Sequence, residues 1–302
     1  MITAMPRIAV AVRDMDRAIT TFRDRLGMPV YEFEWLRQAL GIRMSLCVPA
    51  GGSHIELMSP YDAARAHSGS LIRFLERRGE GLFALMLYAP DPNAEAEALA
   101  ARGLEVMPIM QDAGGRDIHP KHAHGVLIRI YPSRSDADLE REVEQGVGPV
   151  SKRESRAHLT GISRAIVAVR DLDAAVAVYR DGLGIPTHLV PADAASGVRV
   201  AVCTPPSGGR IELTSPADDR GRFGRELGVF LRERSEGLHA LVLESDDLDA
   251  SVKALRIQGI GVQQRAADPP QWELDPAAIH GARIYIERRP QRIAGGESRD
   301  CT

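Results

Sequence analysis

Residues 7–12 alternate apolar and polar or small side chains, and from Met15 the apolar positions shift to a helical period. This change predicts a strand followed by a helix, opened by the capping residue Asp14 and closed by Gly27. Three further runs, 30–35, 42–48 and 54–58, read as strands separated by Gly, Pro and polar residues. The local plan is therefore βαβββ. In the first of these runs Tyr31, Phe33 and Trp35 alternate with Glu32 and Glu34, which places three aromatic rings on one strand face. That face either packs against the helix or forms a wall for a planar ligand.

The plan recurs. The segment RIAVAVRDMDRAITTFRDRLGMP from Arg7 returns as RAIVAVRDLDAAVAVYRDGLGIP from Arg164, and HIELMSP from His54 returns as RIELTSP from Arg210. FLERRGEGL from Phe74 matches FLRERSEGL from Phe230, and HGVLIRI from His124 matches HGARIYI from His280. Within each half, the helix-and-glycine pattern of residues 14–27 recurs at 91–103 and at 247–259. Four βαβββ modules, paired into two tandem domains, give an α+β chain. The expected domains are 1–134 and 158–289, with a linker at 135–157 that is partly helical near 136–144, and a tail at 290–302. Cys47 and Cys203 fall at equivalent strand positions and read as core; Cys301 lies in the tail.

Composition narrows the function without naming it. A formal charge of −3, from 38 basic and 41 acidic residues, provides no field for nucleic acid. No apolar run approaches the roughly 18 residues of a membrane span, and the start lacks a basic segment followed by an apolar one. Three cysteines do not make a disulfide framework and fit a reducing cytoplasm. Neither a phosphate-binding glycine loop nor a GxSxG elbow is present. The expected partner is a small molecule, and a homodimer is left open.

The four modules, with IELMSP, FLERRGEGL and HPKHAHGVL, resemble the vicinal oxygen chelate superfamily, the group of glyoxalases, bleomycin-resistance proteins and extradiol dioxygenases. The nearest likeness is to methylmalonyl-CoA epimerases. The resemblance implies that each pair of modules forms a curved mixed sheet with helices outside and a ligand cup inside. It also implies four divalent-metal positions per cup, which here carry Arg7, Glu56, Ala84 and Arg129, then Arg164, Glu212, Ala240 and Tyr285. A guanidinium has no lone pair to offer a metal and repels it. The acid/base carboxylate of the epimerase-like proteins, three residues after a glycine, is replaced by Met44 and Val200. The expected cofactor is therefore none, with a divalent metal as the alternative.

Strand alternation turns Arg7, Ala9 and Ala11 toward the first cup, together with His54, Glu56, Tyr88, Arg129 and Tyr131. The second cup receives Arg164, Arg210, Glu212 and Tyr285, with Glu244, Arg283 and Glu287 in matching positions. Two arginines facing one glutamate in the first cup leave surplus positive charge. They either neutralise Glu56 as a structural network or bind an organic anion. In the second cup Arg164 and Glu212 balance one to one. His239, at the position of Phe83, is expected to pack toward the outer helix.

Three functions follow. The first is a metal-independent isomerase or lyase acting on a small organic anion, with His54 and Glu56 as acid and base and Arg7, Arg129, Tyr88 and Tyr131 binding substrate. The second is a non-catalytic protein of the bleomycin-resistance kind that sequesters its ligand. The third is a glyoxalase, epimerase or dioxygenase-type enzyme with a relocated metal, near His54 and Glu56 or in the loop of His119, His122 and His124.

Overall fold

The computed structural model describes residues 1–108, 115–133, 159–191, 196–219, 221–265 and 270–290. The expected linker and its helix, and nearly all of the expected tail, lie outside the described residues.

In the first half, β1 (Ala4–Ala11) leads into a helix at Met15–Thr20 whose last turn widens into a π-helical one at Thr21–Arg25. Asp14 caps this helix by accepting a hydrogen bond from the Arg17 amide. Then come β2 (Val30–Glu32), β3 (Ile42–Cys47), β4 (Gly51–Gly52) and β5 (His54–Pro60). The second module supplies β6 (Gly81–Ala89), a helix at Pro92–Ala101, β7 (Arg116–Ile118) and β8 (Leu127–Pro132). All of these strands except β4 form a seven-stranded mixed sheet in the order β2-β3-β5-β1-β6-β8-β7. Where the repeat predicts an eighth strand, Val106 makes a single antiparallel bridge to Ile118.

The second half repeats the design with β9 (Leu159–Ala168), β10 (Thr187–Leu189), β11 (Val198–Cys203), β12 (Ile211–Pro216), β13 (Gly237–Ser245), β14 (Val262–Arg265), β15 (Gln271–Leu274) and β16 (Ile284–Arg288). They run in the order β10-β11-β12-β9-β13-β16-β15-β14, and β4 of the first half pairs with β9. In each half a 13-residue helix, Ala66–Arg78 or Arg222–Arg234, links the two modules and lies over the concave face. Its buried leucines, Leu71 and Leu75 or Leu227 and Leu231, pack into the cup.

One correction concerns the aromatic strand. It ends at Glu32, and Trp35 begins a short helix, Trp35–Leu40, that no periodicity had announced. Phe33 is buried in the cup cluster, while Trp35 is 56% exposed, so the three rings share no wall.

The two faces of β1 separate as alternation predicts. Ile8 and Val10 enter an apolar core continuous across both halves, and Ala9 and Ala11 enter the first cup. The halves meet through pairs related by the repeat. Glu80 accepts from the Arg13 amide and faces His280 at 3.3 Å, while Glu236 accepts from the Arg170 amide and faces His124 at 3.1 Å. His124 and His280 both adopt left-handed backbone, and the glycine after each lies against the other half. A Cβ on Gly125 would overlap the Glu236 carbonyl, and one on Gly281 the Glu80 carbonyl.

This seam generates the first prediction. Gly125→Ala should destabilise the protein by more than about 2 kcal/mol in urea unfolding, from positive φ and the cross-seam clash together. Gly103→Ala, also at positive φ but with open space around its Cβ, should cost only about 1 kcal/mol. Equal losses at the two positions would mean that the seam does not hold the halves at this spacing.

Candidate functional site

The register of the first sheet builds its polar row. Arg7 lies opposite His54 on β5 and Met86 on β6; Met86 lies opposite Arg129 on β8, and Arg129 opposite Asp117 on β7. Glu56 sits one step along, opposite Ala9. Arg7, Glu56, Asp117 and Arg129 are all buried. The Arg7 Nη1 approaches Glu56 Oε2 at 3.5 Å. Arg129 places its fork on Asp117, with Nε to Oδ1 at 2.9 Å and Nη2 to Oδ2 at 3.0 Å.

Asp117 corrects the charge count made from sequence. The two arginines meet two carboxylates, not one, and the expected surplus at this row does not exist. A signal for it was available: Asp117 and Glu273 are repeat mates, acidic in both halves and each directly before the histidine-containing turn. A three-residue strand beside that turn carries too little periodicity to assign a face. Burial works against the Arg129 charge, but Asp117 and then Glu56 outweigh it and hold the guanidinium above its ordinary range. Burial likewise pushes the Tyr131 phenol up, so it stays protonated and neutral.

The donor set does not fit a divalent ion. Two of the four inherited positions are guanidinium groups and one is Ala84. Among the described residues no three His, Cys, Asp or Glu side chains converge as a metal site. The histidine loop disperses. His119 Nδ1 accepts from the Lys121 amide, His122 faces Glu105 at 3.0 Å, and His124 crosses the seam to Glu236.

A cavity of about 790 Å³ opens beside this row, between the helix Ala66–Arg78 and the strands β6, β7 and β8. Arg129 and Asp117 stand in its wall; Arg7, His54, Glu56, Tyr88 and Tyr131 do not. Its apolar side includes Phe74 and Phe83, packed edge to face with centroids 4.9 Å apart, and Leu127. Its rim carries Arg65, Arg73, Arg77, Arg78 and His67, none of which sequence reasoning had selected, and His119, which it had considered only as part of a metal-binding loop. FLERRGEGL holds two of these arginines, but a helix over a cup cannot be told from a solvated one by sequence.

The second cup is closed by charge. Arg164 reaches Glu212 at 2.7 Å and Glu287 at 2.5 Å, so the expected one-to-one pair is a one-to-two network. Gln271 donates to Glu287 at 2.9 Å. Burial raises the Glu287 carboxyl, but the hydrogen bond from Arg164 wins and its pKa is lowered. Arg265 lies over the Tyr285 ring, 3.9 Å from its centroid, and is anchored by Glu226 from the covering helix at 2.7 Å. Arg210, assigned to this cup from sequence, is exposed.

His239 also departs from expectation. It faces Tyr285 Oη at 3.2 Å and the ring of Phe230 on the covering helix, so it belongs to the cup. The register of β13 against β9 slips between Leu238 and Ala240, and this bulge turns His239 inward. The same slip at Ala9/Val10 sets the position of Phe83. Arg283, which can only donate, lies 3.4 Å from Nε2, so that nitrogen is the acceptor. Burial first, then Arg283 and Arg265, holds the His239 pKa well below its ordinary value.

The model of the Glyoxalase/Bleomycin resistance protein/Dioxygenase superfamily matches residues 7–119 and 165–272. A triple mutant of 4-hydroxymandelate synthase from Streptomyces coelicolor superposes with a TM-score of 0.68 at 13% identity, over 98% of this chain and 95% of that one. A xylose isomerase-like TIM barrel/4-hydroxyphenylpyruvate dioxygenase fusion protein superposes at 0.61 and 14% identity, over 98% of this chain and 50% of that one. Methylmalonyl-CoA epimerase from Mycobacterium tuberculosis is 27% identical over 44% of this chain and 90% of its own, with a TM-score of 0.39. The first two likenesses concern the fold. No curated protein matches the chain.

Two predictions arise from these cups. Asp117→Ala should cost roughly 3–5 kcal/mol in chemical unfolding, because it strands the buried Arg129. The double substitution Asp117→Leu with Arg129→Met should recover most of that loss; no recovery would mean the pair is not a closed unit. The second concerns acid. The His239 pKa lies below its unfolded value, so the unfolded chain takes up a proton that the folded one refuses. Stability is thus full above about pH 6.5 and declines as pH falls below it. His239→Phe, the solution used at Phe83, should flatten the decline between about pH 6.5 and 5 in pH-dependent melts. An unchanged slope would refute the buried neutral form.

Proposed function

The chain belongs to the Glyoxalase/Bleomycin resistance protein/Dioxygenase superfamily, and from that premise we propose that its first cup binds a small organic anion without an inherited metal. The observation that carries this reading is the cavity, which sets an apolar wall against a basic rim. A pocket of this size fits a small aromatic or branched acid. The rim arginines supply the attraction; Arg129, already forked onto Asp117, supplies a fixed polar floor.

The arrangement supports binding more than proton transfer by His54 and Glu56. A general acid or base must reach its proton within hydrogen-bond distance or through one water, and neither side chain stands in the cavity wall. The carboxylate in that wall, Asp117, is committed to Arg129. Sequestration of the kind performed by bleomycin-resistance proteins is therefore the better-supported reading, with isomerase or lyase chemistry second. An enzymatic role would have to draw its acid and base from His67 or His119, which do stand in the wall.

Native mass spectrometry of the full chain against a panel of aromatic carboxylates and phosphates tests the proposal. At least one member should bind one to one, and Leu127→Trp, which fills the cavity, should abolish the complex while leaving the melting temperature within a few degrees. Binding that survives Leu127→Trp would place the site elsewhere. Conversion of the bound anion, followed by NMR, would favour the enzymatic reading over sequestration.

A further inference from the structure

Arg78 and Arg234 are repeat mates, each three residues before the glycine that opens the next strand. They meet at the seam, where they differ. Arg234 Nη1 donates to the Arg78 carbonyl at 3.0 Å, capping the end of the helix Ala66–Arg78. Among the described residues no reciprocal bond runs from Arg78 to the Arg234 carbonyl. The Arg78 guanidinium instead lies beside Gly237, with Nη1 3.6 Å from where a Cβ on that glycine would sit, and Arg78 is among the residues lining the first-cup cavity.

The two carboxylates of the seam are already committed: Glu80 to Arg13 and His280, and Glu236 to Arg170 and His124. Arg78 is half-buried, and among the described residues no carboxylate pairs with it. A second cation lies beside it. Burial and then the Arg234 charge push the Arg78 pKa down, the opposite of what a salt bridge does. A half-buried guanidinium with a like-charged neighbour and an open cavity in front is a site built for an anion.

Building on the reading of the first cup as an anion pocket, we infer that Arg78 anchors the ligand's phosphate or carboxylate at the seam end of the cavity, with Arg234 reinforcing it across the seam. The ligand's apolar body then lies against Phe74 and Phe83. The ligand class is an aryl or short acyl group bearing a terminal oxyanion, and the second domain completes the site through Arg234 and the wall residue Leu238.

Titration calorimetry with phenyl phosphate, inorganic phosphate and benzyl alcohol on the full chain tests this. Phenyl phosphate should bind more tightly than either fragment. Arg78→Met should weaken it by about tenfold or more, Arg78→Lys by less, and Arg234→Met by a few fold. Arg78→Met should not lower the melting temperature of the unliganded protein, because it removes a like-charge contact and not an ion pair. Affinity within twofold of wild type in Arg78→Met, or a drop in its unliganded melting temperature like that of Asp117→Ala, would overturn the assignment. Loss of binding in Leu127→Trp but not in Arg78→Met would leave the cup reading standing and this anchor wrong. If phenyl phosphate fails to bind wild type while an aromatic carboxylate does, the anchor for phosphate falls and the cup remains.

Discussion

Arg7, Arg129 and Arg164 carry charges that no pH in a protein's working range removes, and each lies within the concave face of a sheet. Much of the arrangement around them follows from that constraint. A buried guanidinium costs several kcal/mol unless a carboxylate meets it with good geometry, so acidic residues must stand where the strands bring them opposite. Glu56 meets Arg7, Asp117 meets Arg129, and Glu212 and Glu287 meet Arg164. Side chains at positions where relatives by fold are expected to place metal ligands thus form a covalently unlinked but electrostatically closed lattice. Such a lattice commits its carboxylates to guanidinium groups rather than leaving them as ligands for a divalent cation, and ties the strands together by charge as well as by packing.

Closure of this row leaves selectivity to the elements above it. The helix Ala66–Arg78 buries Leu71 and Leu75 in the cup and turns Phe74 toward Phe83. Its arginines, spaced along a helix that also contributes apolar anchors, form the basic edge of the cavity. In the second half the equivalent helix sends Glu226 down to hold Arg265 over Tyr285. One helix therefore lines an opening while its repeat mate locks a network, and the difference lies in a few side chains rather than in the backbone.

The tandem repeat made the architecture legible, because a duplicated pattern of strand, capped helix and terminal glycine constrains topology far more than any single run does. Alternation also placed Arg7, Glu56 and Arg129 on the concave face correctly, since β1, β5 and β8 are regular over those residues. It failed where the strands are not regular. The slip between Leu238 and Ala240 reverses the face of His239, and period-two reasoning has no means of seeing a bulge. The run ending at Trp35 failed for a different reason: Gly41, in left-handed backbone at the end of the short helix, marks a helix end that lies in no expected helix. Asp117 was missed because its strand has three residues, and the rim arginines because their helix lies over a cup that only the folded chain creates.

Duplication also explains why a seam can acquire what neither half would have alone. Repeat mates lie opposite one another near the pseudo-twofold relation between the halves, so a cation conserved in both copies of a repeat is brought against itself. The histidine–glutamate brackets resolve this by crossing unlike residues: His124 to Glu236 and His280 to Glu80. Arg78 and Arg234 cannot be resolved in that way, because like meets like. One of them must take a backbone carbonyl and the other must turn aside, and the side to which it turns is the one with open space. Broken symmetry at a duplicated cation is thus a physical route by which one of two similar cups gains a charge that the other lacks.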